Sequence, residues 1–253
     1  MVMRYGFIIV VCVLMNSIQA QVYTEVWSTE RVFKTPESVF YNQQRNEIYV
    51  SNINGKPTVK DGNGFISLMD TTGKINELKW ITGLDAPKGM AVLNDTLIVT
   101  DIDRIHIISI SKAEILQTIE VEGASFLNDV VLIENGTAFI TDMVEERILM
   151  LYNGEVETWL EDELLVKPNG LALTKKNMAV GVKNAILSVD ISTKETKVLI
   201  DETGPVDGLI YLGGKKFIVS DWSGRTMLVN SNEKMVLSNS TESNIQAADL
   251  GYI

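Results

Sequence analysis

A short motif recurs along the chain, and each copy sets a polar side chain just before an apolar run. Lys167-Pro168-Asn169-Gly170-Leu171-Ala172-Leu173 is the clearest copy. Its echoes are Pro36-Glu37-Ser38-Val39, Pro87-Lys88-Gly89-Met90, Leu127-Asn128-Asp129-Val130, Pro205-Val206-Asp207-Gly208-Leu209 and Ala247-Ala248-Asp249-Leu250. Glu37, Asn128, Asn169 and Asp207 together bring two carboxylates and two amides. An all-oxygen set of that kind suits a hard divalent cation. Two buried carboxylates without such a partner would be costly, or would be driven towards the neutral acid. Taken singly, Asn-Gly and Asp-Gly are also ordinary turn formers.

The spacing says what must position these residues. After a wider first interval the motif returns about every 40 residues, the mark of a repeat architecture. Within each unit a polar turn leads into an apolar strand, then a turn with Asn, Gly or Lys, then a second strand. Thr96-Leu97-Ile98-Val99-Thr100-Asp101 and Lys216-Phe217-Ile218-Val219-Ser220-Asp221 are such second strands. A third strand follows in most units, and a shorter fourth in some. Short strands at this period with no long helix predict an all-β fold, a β-propeller. Five units are complete and a sixth starts near residue 247. A full sixth unit would need roughly 25–30 more residues at this period. The expectation is a six-bladed β-propeller whose sixth blade is incomplete, in a C-terminally truncated chain. Blades are expected to start near residues 36, 87, 127, 168, 206 and 247. Residues 22–33 read as a leading strand that completes the last blade.

In such a ring the residues before each first strand converge on one end of the central channel. Second strands run antiparallel to the first, so their ends should rim the same pocket. That adds Asn52, Asp101, Asp142 and Asp221, with Trp222 beside them. The plainer reading of these is that they close turns.

Composition narrows the function. The chain carries 22 Lys and Arg against 33 Asp and Glu, for a net charge of −11. Nucleic-acid phosphates would be repelled. Arg4, the apolar run at 7–15 and a small residue at Ala20 describe a cleavable secretory signal over 1–20. The run is too short to span a bilayer. The expectation is a secreted or periplasmic protein made of residues 21–253, with no membrane span after cleavage. Cys12, the single cysteine, lies in that signal, so thiol chemistry and cysteine metal sites are excluded from the mature chain. His106, the single histidine, sits inside an apolar strand run and reads as packed rather than catalytic. No Gly-x-Ser-x-Gly nucleophile turn is present.

The four motifs resemble those of the senescence marker protein, gluconolactonase and luciferin-regenerating enzyme family. The resemblance runs from about residue 36 to the C-terminus, through Glu37-Ser38-Val39, Leu127-Asn128-Asp129, Pro168-Asn169-Gly170-Leu171 and Val206-Asp207-Gly208. It implies a six-bladed propeller with one divalent cation in the channel, held by Glu37, Asn169 and Asp207. Calcium is the first choice; zinc, magnesium and manganese are alternatives. It implies Asp207 as catalytic general base, and Asn128 with Asp129 at the substrate. The implied reaction is metal-dependent hydrolysis of a small lactone or related ester. The alternatives are a non-catalytic secreted propeller that binds a ligand or partner protein, and a strictosidine-synthase-like enzyme.

Overall fold

The computed structural model describes residues 26–243 and 246–252. The predicted signal falls outside them, as do residues 22–25 of the predicted leading strand. Twenty strands form five four-stranded antiparallel sheets, each built from one contiguous piece of chain. The all-β propeller is therefore present, with five blades.

The innermost strands are β1 (Pro36–Asn42), β5 (Pro87–Leu93), β9 (Leu127–Leu132), β13 (Leu171–Leu173) and β17 (Leu209–Gly213). The second strands, β2 (Glu47–Asn52), β6 (Thr96–Asp101), β10 (Ala138–Asp142), β14 (Asn177–Gly181) and β18 (Lys216–Asp221), are buried along most of their length. They are packed between neighbouring blades on both faces, hence their near-continuous apolar runs. The outermost strands are the most exposed; in β8 (Glu114–Glu120) only Ile115 and Ile119 are partly buried. The wide first interval arises because residues 53–63 form a long loop between β2 and β3 (Gly64–Asp70).

The core lies between blades. Tyr49, Ile66, Met90 and Val99 join blades one and two, and Ile98, Leu127 and Ile140 join two and three. Phe139, Trp159, Met178 and Leu187 join three and four, and Ala179, Val206, Phe217 and Val219 join four and five. Each removes apolar area from water and so locks blade angle.

Two expectations need correction. Residues 246–252 form no strand. They run between β17 and β1, where the Asp249 amide donates to the Glu37 carbonyl at 2.9 Å and the Ser220 hydroxyl donates to the Ala248 carbonyl at 2.5 Å. The segment has no second run among the described residues to pair with, so the count is five blades rather than six with one incomplete. The described part of the leading segment, residues 26–33, does not complete the last blade. Blade five takes all four strands from Leu209 to Asn239, which leaves no vacancy. Residues 26–30 are not strand, and the Trp27 indole instead donates to the Thr71 carbonyl of blade one at 3.0 Å.

Candidate functional site

The recurring polar residue is placed by local features that several blades share. Register shifts at the start of β1, β5 and β9 put Glu37-Ser38, Lys88-Gly89 and Asn128-Asp129 in β-bulges. A bulge bends the strand and re-aims its side chains. A hydroxyl from the second strand then receives the amide after the bulged residue. Ser51 accepts from Ser38 N at 2.9 Å, Thr141 from Asp129 N at 3.0 Å and Ser220 from Gly208 N at 2.9 Å. The same hydroxyls reach across to the next blade. Thr141 donates to the Asn169 carbonyl at 3.0 Å, and Thr100 donates to the Asn128 carbonyl.

The glycines of the motif are not turn glycines, since none of Gly89, Gly170 and Gly208 has a left-handed φ. They are glycine because the next blade lies against them. A Cβ on Gly170 would sit 2.3 Å from the Asp207 carbonyl oxygen.

This register fixes the ring. Its positions are Glu37, Lys88, Asn128, Asn169 and Asp207, with Ala248 in the sixth place. Asp249 stands one residue further on, in step with Asp129. Lys88, in Pro87-Lys88-Gly89, is the one polar ring residue whose side chain brings no oxygen.

The ring is a buried, acidic layer. Glu37 and Asp207 are each 8% exposed and Asn128 4%, while Lys88 is fully buried. The Asn169 amide donates to Asp207 Oδ1 at 2.8 Å. Glu37 Oε2 is buried with no hydrogen-bond partner. Burial raises the Glu37 pKa well above the ordinary range; Asp207 adds to this, Lys88 opposes it, and Asp249 and Asp129 add further. Burial, with the Asp249 charge behind it, pushes Asp207 up to about 7 against the pull of Asn169. Burial lifts Asp249 to about 6 although Ser38 and the Leu250 amide stabilise its charge. Asp129 is raised by burial and then by Asp249. Both Asp129 oxygens accept backbone amides, from Leu171 at 2.6 Å and Val130 at 2.7 Å. Among the described residues no three His, Cys, Asp or Glu side chains are gathered as a preformed metal site. The ring is nonetheless oxygen-rich, with an orphaned carboxyl oxygen and several raised pKa values.

The second-strand residues lie elsewhere and are differently satisfied. Asn52 Oδ1 accepts the Lys34 amide at 2.9 Å. Asp101 accepts the amides of Asp85 and Ala86 at 2.7 and 2.6 Å, and its Oδ2 is 3.1 Å from His106 Nε2. Asp142 accepts the Phe126 amide at 3.2 Å and pairs with Arg147. Asp221 pairs with Arg225 Nε at 2.6 Å. These groups hold the loops that enter or leave each blade. Burial favours the neutral acid of Asp101, but the His106, Ala86 and Asp85 hydrogen bonds outweigh it and lower the pKa. Trp222 is 43% exposed and lines a cavity of about 340 Å³ together with Glu37, Asp249, Val39 and Val50. A second cavity of about 240 Å³ runs from Asp129 and Asp249 down between Met90, Val130, Leu171 and Leu209. His106 is buried between Asp101 and Thr118, as its strand context predicts.

A β-propeller with a polar ring at one end of its channel is thus the class that fold and site define. No protein-family model matches the chain, and no curated protein matches it. Solved structures do. The chain resembles one from a nidogen/laminin complex, with a TM-score of 0.72 and 16% identity over 86% of this chain and 84% of that one. It also resembles a catalytically inactive virginiamycin B lyase from Staphylococcus aureus with quinupristin, with a TM-score of 0.60 and 15% identity over 85% and 87% of the two chains. A selenomethionine form of that lyase gives a TM-score of 0.59 and 16% identity over 85% and 73%. At such identities the likeness is one of fold, and it joins an enzyme with a propeller from a protein complex. No helix among the described residues is long and apolar enough to cross a membrane.

Proposed function

We propose that the protein is a secreted or periplasmic, divalent-cation-dependent hydrolase that opens a lactone or related small ester at the ring. One observation carries this reading: Glu37 presents a buried carboxylate oxygen with no protein partner, in a ring where Asp207 is the largest charge acting on it. Glu37, Asn169 and Asp207 would hold the cation, and calcium best matches a ligand set of oxygens. When bound, such a cation supplies Lewis acidity towards a carbonyl oxygen.

The chain's own residues supply the rest. Asp207 sits at about 7 in the cation-free ring; a cation beside it would lower that value and keep the carboxylate ionised, ready to accept a proton. The Asn169 amide engages Oδ1 and so leaves Oδ2 for that proton. Asn128, whose amide has only the Met143 sulfur in reach at 4.0 Å, is assigned to the substrate. Asp129 lies beside it, but its oxygens are taken by backbone amides, so its part is to steady the turn.

The test is calorimetric titration of the full chain with calcium, zinc, magnesium and manganese, followed by turnover on a lactone panel. Asp207→Asn should lower turnover by about 10²-fold or more, the usual share of a general base. Equal rates would remove Asp207 from the chemistry. Cation binding without turnover would assign the ring to ligand binding alone.

A further inference from the structure

Lys88 is the one basic side chain on the ring, and neither the cation site nor the proton transfer uses it. It occupies in blade two the position that Glu37, Asn128, Asn169 and Asp207 occupy in theirs. It is fully buried, yet its ammonium has one hydrogen-bond acceptor among the described residues, the Ala86 carbonyl at 2.9 Å. The ammonium also lies over the Phe126 ring, whose centroid is 4.6 Å away. The Glu37 and Asp101 carboxylates act on its charge, but among the described residues none makes an ion pair with it. An ammonium carries three donors, and a buried charge is tolerated only when paired or hydrogen-bonded. Across the same ring Glu37 leaves an acceptor unused. One ring therefore holds a buried ammonium with unused donors and a buried carboxyl oxygen with no partner, and no ion pair joins the two among the described residues.

We propose that Lys88 is the anion-receiving residue of the channel, and that the ligand of this ring brings a carboxylate or comparable anionic oxygen to its ammonium. The inference rests on the channel reading above and narrows its substrate class to molecules that carry or develop such an oxygen. A ring-opened lactone is a hydroxy carboxylate, so the product qualifies. Phe126 and the Ala86 carbonyl hold the ammonium in place, and the incoming oxygen supplies the acceptor that the protein withholds.

The experiment uses trifluoroacetate, a minimal carboxylate whose fluorine NMR signal reports weak binding, titrated into the full chain at constant ionic strength. Calcium-free and calcium-saturated samples are run in parallel. Wild type should bind the anion saturably. Lys88→Met and Lys88→Gln should each weaken it about tenfold or more, as expected for loss of a hydrogen bond to a charged group. Lys79→Met, which removes an exposed lysine charge elsewhere, should leave it unchanged. No saturable binding to wild type would overturn the proposal, even if neither Lys88 variant folds. Equal affinity in wild type and the Lys88 variants would also overturn it. So would tighter calcium binding by Lys88→Met with unchanged anion affinity, since that assigns Lys88 as a mere counter-charge. A protein that binds no cation and opens no lactone, yet loses the anion on Lys88 substitution, would sink the hydrolase reading and leave this one standing.

Discussion

The ring and the second-strand acids are two buried acidic layers built from the same residue types, and their chemistry diverges. Asp101 is 1% exposed and Asp207 8%. Asp101 has two amides and an imidazole aimed at it and is held below the ordinary carboxylate range. Asp207 has one amide and other carboxylates nearby, and is pushed up to about 7. Burial is common to both; the supply of donors is what separates a brace from a site. Asp142 lies between the two, raised by burial although Phe126 and Arg147 partly offset it.

That contrast can be broken or sharpened by experiment. The largest change is expected in the braced layer. Asp101→Ala strands the Asp85 and Ala86 amides and unpairs His106, and should destabilise the fold by about 3 kcal/mol in denaturant titrations. A loss under about 1 kcal/mol would put Asp101 in the same class as the ring. Next comes the contact that sets the ring. Gly170→Ala drives a Cβ into the Asp207 carbonyl and should cost about 2 kcal/mol of stability, together with activity. The ring itself should respond with the opposite sign. Glu37→Gln removes a buried charge without changing its shape, so cation-free protein should gain about 1 kcal/mol while cation affinity is lost. A destabilised Glu37→Gln would mean that the Glu37 charge is already compensated.

A further change is one of pH. Asp207 and Asp249 have folded pKa values of about 7 and about 6, above the ordinary 3.8, so the native state binds more protons than the unfolded chain between those limits. Their ionisation cost is absent below about pH 4 and fully present above about pH 7. The Tm of cation-free protein should therefore climb as pH falls from 8 to 5. Saturating calcium should flatten the trend, and an unchanged slope would place the cation away from these acids.

The same contrast marks how far the sequence could be read. Strand runs such as residues 96–101 and 216–221 were legible because burial on both faces leaves an unbroken apolar string. Convergence of Glu37, Asn128, Asn169 and Asp207 was legible because the repeat gives each the same offset. Lys88 had that offset too, but a reading that looks for metal oxygens sorts by side-chain type before position. Asp249 was off by one residue; only the Ser220–Ala248 hydrogen bond shows that Ala248 holds the ring position. That Asp101, Asp142 and Asn52 end their second strands was legible from the strand runs. Their donors come from loop amides, and amides leave no letter in a sequence. The Asn-Gly and Asp-Gly pairs signalled turns, whereas the neighbouring blade is what excludes a side chain there. The leading strand could not be judged without knowing that blade five is already complete.

The cross-blade hydroxyls carry one more consequence. Thr100 clasps the peptide of Asn128, Thr141 that of Asn169, and Ser220 that of Ala248, much as voussoirs lock in an arch. Two stones lack this clasp. Blade four carries Gly181 where the hydroxyl would be, with Val206 filling the space, and in blade one Ser51 turns back to its own Ser38 carbonyl. The unclasped peptides are those of Asp207 and Lys88. Those two are tied by other contacts instead: the Asp207 amide donates to the Ser220 carbonyl at 2.8 Å, and the Lys88 ammonium to the Ala86 carbonyl at 2.9 Å.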